Sequence, residues 1–177
     1  MQHYVLVYGW GVENGTKFWR VQNSWGYQWC EAGTFRIVRG SNNLSIEAEC
    51  SYAVPADTWT NDIRNNTPPN GMAQEYFSAH KAAAPATFDW RSPINYLTVS
   101  RSDASPKHCS SAWALAVTSV MSDKIKIATK GKTIVQISPQ VLLNCGAGSC
   151  SKGTADDAIT FARKFGIPED SCQNYLG

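Results

Sequence analysis

Apolar and polar residues alternate along residues 3–54, and glycine or asparagine interrupts the alternation at intervals. A period of two is typical of β-strands with one buried face. The pattern predicts strands over residues 4–8, 17–21 and 34–39. The first two strands would be joined at Glu13-Asn14-Gly15, because an Asn-Gly pair suits a tight hairpin turn.

The character of the chain changes twice after this segment. Residues 55–85 are rich in Asn, Pro and Gly and end in an alanine-rich run, which predicts a linker. Residues 86–177 then follow a helical spacing of apolar positions. The sequence thus divides into a β-rich part at 1–54, a linker at 55–85 and a helical part at 86–177.

Three helices are predicted in the helical part. Residues 112–129 contain neither Gly nor Pro, and their apolar positions predict a long, mostly buried helix. A second helix would begin at Ser138-Pro139 and end near Asn144, because Ser suits the N-cap and Pro the first turn. A third would cover residues 154–164, with Gly166 as its C-terminal stop.

Composition narrows the possible functions. The chain has 177 residues, 43% of them hydrophobic and 11% aromatic, which is enough for a packed core in one domain or slightly more. The formal net charge is +2 without a basic block, so binding of nucleic acid through its phosphates is not expected. No apolar run approaches about 18 residues, so no transmembrane helix is expected. Residues 1–8 lack the pattern of a signal peptide.

The six cysteines predict disulfides rather than a zinc site, because no Cys-x-x-Cys pair is present and histidines are few. Disulfides imply an oxidising compartment. Three N-glycosylation sequons, at Asn14, Asn43 and Asn65, agree with such a compartment. We therefore expect an endomembrane, lysosome-like or secreted location, although a fold reused in another organelle would carry the same residues. No metal or cofactor is expected.

Three motifs carry the most specific signal in the chain. They are Asn23-Ser24-Trp25-Gly26 with His3 upstream, Asp89-Trp90-Arg91, and Cys109-Ser110-Ser111-Ala112-Trp113-Ala114. Together they resemble the papain family of cysteine peptidases. Three further stretches, residues 43–47, 144–150 and 166–175, are similar to the cathepsin X/Z group within that family. The resemblance implies a papain-like α+β fold, in which residues 86–177 form the helical half and residues 1–54 form part of the β-barrel half.

The order of these parts differs from that of the family. In papain-like enzymes the helical half comes first, whereas here His3 and Asn23 precede the helix, and a long middle stretch of the family domain is missing. The chain could be a segment of a tandem array, a circular permutation, or part of a longer chain. Three or four strands are too few to close a barrel, so we expect another copy or another protein chain to supply the missing barrel segment. The alternative is a small self-contained fold.

Catalysis in the family needs a Cys thiolate at a helix N-terminus, a His, an Asn that orients the His, and an oxyanion donor. The resemblance places Ala112 at the nucleophile position, and alanine has no lone pair to offer. It places Asp103 at the position of the oxyanion glutamine, where a carboxylate would repel the developing negative charge. It also places Ala104 at a family His position. Ser111 is one residue from the nucleophile position and would point roughly 100° away from it.

His3 and Asn23 match the family's His and Asn positions. They could be a working pair completed by a Cys from another unit, or a relic that serves the core beneath Trp25. Trp25, Gly153 and Trp113 match positions around the family's substrate cleft. The resemblance also implies disulfides Cys109–Cys150 and Cys145–Cys172, and it leaves Cys30 and Cys50 free to pair across chains.

The sequence therefore predicts a catalytically inactive member of the papain family that acts as a structural or interaction subunit of a larger assembly. Two alternatives stay open. One is a cysteine peptidase that becomes active when another unit supplies the Cys, and the other is a peptide-binding module with an inert cleft. All three would work with protein partners, without nucleic acid and without a membrane span.

Overall fold

The computed structural model describes residues 3–48, 50–51 and 84–177. The expected linker at 55–85 lies outside them apart from its last two residues, and so does the sequon at Asn65. The strands in these ranges are β1 (Leu6–Glu13), β2 (Thr16–Gln22), β3 (Thr34–Val38) and β4 (Phe88–Asp89). The α-helices are α1 (Ala112–Ala128), α2 (Pro139–Asn144) and α3 (Ala155–Phe165). Short 3-10 turns cover Asn43–Ser45 and Asp170–Cys172.

The strands form one antiparallel sheet with the order β3-β2-β1-β4. The predicted hairpin between β1 and β2 is confirmed, but β1 begins two residues later than predicted and continues to Glu13, because its pairing with β2 extends up to the turn. The two turn residues of the hairpin, Asn14 and Gly15, have φ angles of 49° and 78°. A type I′ turn requires this left-handed backbone, which Asn and Gly tolerate best. The resulting register sets Trp19 between Trp10 and Ile37 on the neighbouring strands.

Strand β4 differs from the expectation that residues 86–177 are helical. Phe88 and Asp89 pair with Trp10 and Gly9 of β1. The two backbones approach so closely that a Cβ on Gly9 would lie 2.4 Å from the Phe88 carbonyl oxygen, so glycine is required there. A two-residue strand has no pattern of its own in the sequence, because it is created by this long-range pairing.

The three helices surround one hydrophobic core. Trp113 of α1 packs there with Leu142 of α2 and Ala158 of α3, and all three residues are buried. Helix α3 begins with a capping box, in which the side chains of Thr154 and Asp157 each accept the other's backbone N–H. All three helices lie within one or two residues of their predicted bounds. None of the helices in the described ranges is long and apolar enough to cross a membrane.

A second, smaller core joins the sheet to the helical part. Leu6 and Tyr8 of β1 pack against Leu97. Trp90 and the α1 residue Val120 lie at the edge of this core. This chain therefore covers part of its own sheet. The sheet stays open in the described residues, since β3 and β4 each have one neighbouring strand. The mixed α and β content agrees with the expected α+β class.

Candidate functional site

Strand pairing brings the candidate His and Asn together. Leu6 of β1 lies opposite Gln22 of β2, so the residues before Leu6 and after Gln22 leave the sheet side by side. His3 Nε2 lies 2.8 Å from Asn23 Oδ1. The hairpin therefore brings these two expected site residues into direct contact.

The amide of Asn23 is held in one orientation. Its Oδ1 also accepts the Ser24 backbone N–H at 2.8 Å, a bond that an amide nitrogen could not accept. Because Oδ1 only accepts, the proton between the two side chains belongs to Nε2 of His3. Asn23 is 5% exposed and donates its backbone N–H to the Gly33 carbonyl at 2.9 Å. The fold thus fixes the acceptor that orients His3.

Trp25 packs beside the exposed His3 ring. Their ring centroids are 5.3 Å apart, and Trp25 contacts Trp29 edge-on at 4.9 Å. About half of the Trp25 surface is exposed, and Tyr27 is more exposed still. Trp25, an expected cleft residue, therefore lies on an accessible aromatic surface next to the His–Asn pair.

Asp103 is connected to the pair through Ser24. Its carboxylate accepts the Ser24 hydroxyl at 3.3 Å, and its backbone N–H donates to the Ser24 carbonyl at 2.9 Å. The Asp103 carbonyl accepts the Cys109 N–H at 2.8 Å, which leads the chain toward the start of α1. Asp103 is buried. The position expected for an oxyanion donor thus holds an acidic side chain that accepts a hydrogen bond from Ser24.

Neither the first residue of α1 nor the residue before it offers a free nucleophile. Ala112 is the first residue of the helix and is buried. Ser111, which precedes it, is fully buried, and its Oγ lies 2.6 Å from the Tyr175 hydroxyl. Burial raises the pKa of the Tyr175 phenol, and the hydrogen bond to Ser111 acts in the opposite direction. Ser111 therefore helps to hold the C-terminal residues on α1 and is not available for chemistry.

A small cavity lies between the His-bearing segment and α1. Tyr4 and Asn23 line it on one side, and Ala116 and Ser119 of α1 line it on the other. Ala112 and Ala116 share a face of the helix, because residues four positions apart lie above one another. The helix face that Ala116 shares with the expected nucleophile position therefore borders the same cavity as Asn23.

Trp113 and Gly153, the other expected cleft residues, pack against each other in the helical part. Trp113 is 2% exposed and belongs to the core. A Cβ on Gly153 would lie 2.2 Å from Trp113 Cε2, and a Cβ on Gly148 would lie 2.6 Å from the same ring. Glycine is needed at both positions for this contact. The missing side chain at Gly153 thus makes room for Trp113 and not for a ligand.

Cys109 and Cys150 form the first expected disulfide, which joins positions separated by 41 residues. Cys30 and Cys50, expected to pair across chains, are free and exposed. In residues 3–48, 50–51 and 84–177, no three His, Cys, Asp or Glu side chains are grouped closely enough to hold a metal ion. The Cys109–Cys150 disulfide fastens the residues just before α1 to the loop before α3.

The second expected disulfide is not formed, since Cys145 and Cys172 are both exposed free thiols. The Ser138 hydroxyl donates to the Gln173 carbonyl at 2.7 Å. This bond holds the chain next to Cys172 at the beginning of α2, whereas Cys145 follows the end of that helix. The two sulfur-bearing segments are therefore fastened to opposite ends of α2.

Two contacts at the site have no recognisable signal in the sequence. Tyr175 is 64 positions from Ser111, and the fold alone brings their hydroxyl groups together. Ser24 belongs to the recognised motif, but its bond to Asp103 spans 79 positions. Such contacts between small polar groups follow no periodic pattern, so they could be found only in the folded chain.

Comparisons with known proteins point to one family. The model described as "Papain family cysteine protease" matches residues 1–54 and 84–177. Cathepsin Z of Onchocerca volvulus is 37% identical over 95 residues, which are 51% of this chain and 31% of that protein. Cathepsin B-like cysteine proteinase 2 of Haemonchus contortus is 58% identical over 52 residues, which are 29% of this chain and 15% of that protein. The chain thus spans less than a third of the length of these relatives in each match.

Proposed function

This chain belongs to the papain family of cysteine proteases, and we propose that it is a cathepsin Z-like member that has lost peptidase activity. We further propose that it acts as a structural or interaction subunit of a larger assembly. Ala112 at the start of α1 is the observation that carries the first statement. Peptide cleavage by this family's chemistry needs a thiolate at the start of the helix, and a methyl group cannot replace it.

Asp103 supports the same proposal. The oxyanion that forms during acyl transfer is stabilised by hydrogen-bond donors placed around it. Asp103 instead brings an acidic acceptor, and the nearby Ser24 hydroxyl is engaged as its donor at 3.3 Å. A thiol restored at Ala112 would therefore still lack this part of the catalytic machinery.

The loss of activity can be tested on the full chain with two cysteine substitutions. The wild-type protein is expected to leave fluorogenic peptide substrates intact. Ala112→Cys is expected to create a thiol at the N-terminus of α1 that reacts with a peptidyl epoxide. Ala116→Cys is the matched control, because it lies on the same face one turn further along and lacks the influence of the helix terminus.

Labelled positions are identified by peptide mapping, because the protein also has exposed free thiols at Cys30, Cys50, Cys145 and Cys172. Peptide hydrolysis by the wild-type chain that disappears in His3→Ala would contradict the proposal. Ala112→Cys combined with Asp103→Gln should react faster than Ala112→Cys alone if the acidic side chain impairs the site.

The open sheet supports a role in an assembly. Strand β3 has one neighbouring strand in the described residues, and unpaired strand edges favour association. We propose that another copy or another chain supplies the barrel segment that the family domain would contain. Native mass under non-reducing conditions tests this, with identification of every chain that co-purifies. A complex is expected, and a soluble monomer of 19.4 kDa would contradict the assembly.

A peptidase assembled between two units is the second candidate. The retained pair favours it, because the contact between His3 Nε2 and Asn23 Oδ1 leaves Nδ1 of His3 outside this hydrogen bond. This candidate requires a partner with a Cys that faces His3. A co-purifying chain with such a Cys and hydrolysis that depends on it would favour this candidate over an inactive assembly.

We also propose an endomembrane or extracellular location. The Cys109–Cys150 disulfide supports it, because disulfides persist mainly in oxidising compartments. Peptide mapping without reductant, on the chain taken from its natural source after blocking free thiols, tests this. An oxidised Cys109–Cys150 pair is expected, and reduced thiols at both positions would contradict the proposed location.

A further inference from the structure

The tip of the β1–β2 hairpin has a chemical feature that the proposed function does not use. Asn14-Gly15-Thr16 is an N-glycosylation sequon. Residues 12–17 are all exposed, and a Cβ added to Gly15 would meet no atom within 4 Å. The sequon therefore lies in open space at one end of the sheet.

The sequon also suits the backbone that carries it. Asn14 has a φ of 49° and Gly15 a φ of 78°, so the first two sequon residues are the ones that the turn needs. Thr16 begins β2 and is exposed. The two hydrophobic cores contain none of these residues. A bulky group on Asn14 would thus leave the packing of the described residues intact.

We propose that Asn14 is an N-glycosylation site. Asn14 Nδ2 forms a bond to the anomeric carbon of an oligosaccharide carried on a lipid pyrophosphate and loses one proton. The bond from that carbon to the pyrophosphate oxygen breaks, and the lipid pyrophosphate leaves with the electron pair. No oxidant or reductant is consumed. This inference rests on the proposed endomembrane location and is independent of the loss of catalysis.

The modification would also limit how an assembly forms. A glycan at the tip of the hairpin prevents another chain from covering residues 12–17. A partner that completes the sheet must then approach along β3 or along the side of β4. The hairpin tip would face solvent in the assembled state.

The test uses the chain purified from its natural source, treated with peptide N-glycosidase in water enriched in oxygen-18. The enzyme converts a glycosylated Asn into Asp, with a mass increase of about 3 Da from the heavy oxygen. Spontaneous deamidation of the Asn-Gly pair before treatment gives an increase of only about 1 Da. The Asn14 peptide is expected to gain the larger mass. A parallel incubation in the same heavy water without the glycosidase is the control, because deamidation of Asn14 during the incubation would also give the larger increase, and its Asn14 peptide should not show that increase.

Variants of Thr16, made in the same chain in eukaryotic cells, separate the sequon from the fold. Thr16→Ala destroys the sequon but keeps both turn residues, so it should lose the glycan and remain folded. Thr16→Ser should restore the glycan. An Asn14 peptide that is unmodified, or that shows only deamidation, would overturn the inference. An unmodified Asn14 in a sample whose Cys109–Cys150 disulfide is oxidised would contradict the glycosylation alone. An unmodified Asn14 in a sample in which Cys109 and Cys150 are reduced would contradict the proposed location as well.

Discussion

Replacing Asp123 with Asn should stabilise the protein at neutral pH and remove a pH dependence from its unfolding. Asp123 lies on α1 and is 5% exposed. Its Oδ1 accepts the Thr98 backbone N–H at 2.6 Å, while Oδ2 has no hydrogen-bond partner in the described residues. Burial raises the pKa of Asp123 from 3.8 to about 6, against the opposing effects of Thr98, Lys126 and Arg101.

The direction of the effect follows from the two pKa values. The folded carboxyl holds its proton up to about pH 6, whereas the unfolded one releases it near pH 3.8. The native state therefore binds more protons between these values, and the contribution of Asp123 to stability falls as the pH rises through this window. The difference from 3.8 to about 6 corresponds to about 3 kcal/mol above pH 6. Asn keeps the acceptor for Thr98 and never ionises.

Urea unfolding of the full chain, followed by tryptophan fluorescence between about pH 4 and pH 7.5, measures this effect. The difference in free energy of unfolding between Asp123→Asn and wild type should be near zero at the acid end and grow to about 3 kcal/mol at the neutral end. Glu169→Gln, the same exchange on an exposed side chain, should show no such growth. A difference that does not vary with pH, or that favours the wild type at neutral pH, would refute burial as the cause.

Other substitutions test single contacts by the same unfolding measurement. Asn23→Ala removes the acceptor of Ser24 and His3 and should destabilise the protein by about 1–3 kcal/mol, with a smaller effect for the exposed Asn174→Ala. Gly153→Ala places a methyl group against Trp113 and should destabilise by about 1–3 kcal/mol and alter near-ultraviolet circular dichroism, while Lys152→Ala should do neither. Thr154→Ala removes the capping box and should cost about 1 kcal/mol, whereas Thr160→Ala within α3 should be neutral or stabilising. Replacing Cys109 and Cys150 together by Ser should lower stability by about 2–4 kcal/mol, and an equal loss measured in reductant would argue against the disulfide as its source.

Local pattern predicts the regular elements of this chain because their causes are local. The turn at Asn14-Gly15 and the helix stop at Gly166 each depend on residues a few positions apart, and both are found where the sequence predicts them. Strand β4 has a different origin, since Phe88 and Asp89 become a strand only by pairing with β1. No periodicity of two can be read from two residues, so this strand lies beyond sequence analysis.

The sequence predicts the site residues that belong to a motif and that the hairpin brings into contact, as at His3 and Asn23. The site was not predictable where packing decides the role. Trp113 sits in a motif associated with a cleft, but its large ring is buried among three helices. Tyr175 gained its role from a hydroxyl contact with Ser111 that no spacing rule anticipates.

The intact His3–Asn23 pair is compatible with the proposed loss of catalysis, because the contacts that hold it do not involve a nucleophile. Asn23 Oδ1 accepts the Ser24 N–H, and its backbone donates to Gly33. Removing that buried amide would leave polar groups without partners, so the pair contributes to folding whatever its chemistry. Ala112 stands at the expected nucleophile position, and folding tolerates alanine at the start of a helix. The contacts of Asn23 therefore give the pair a structural role that does not depend on a nucleophile at the start of α1.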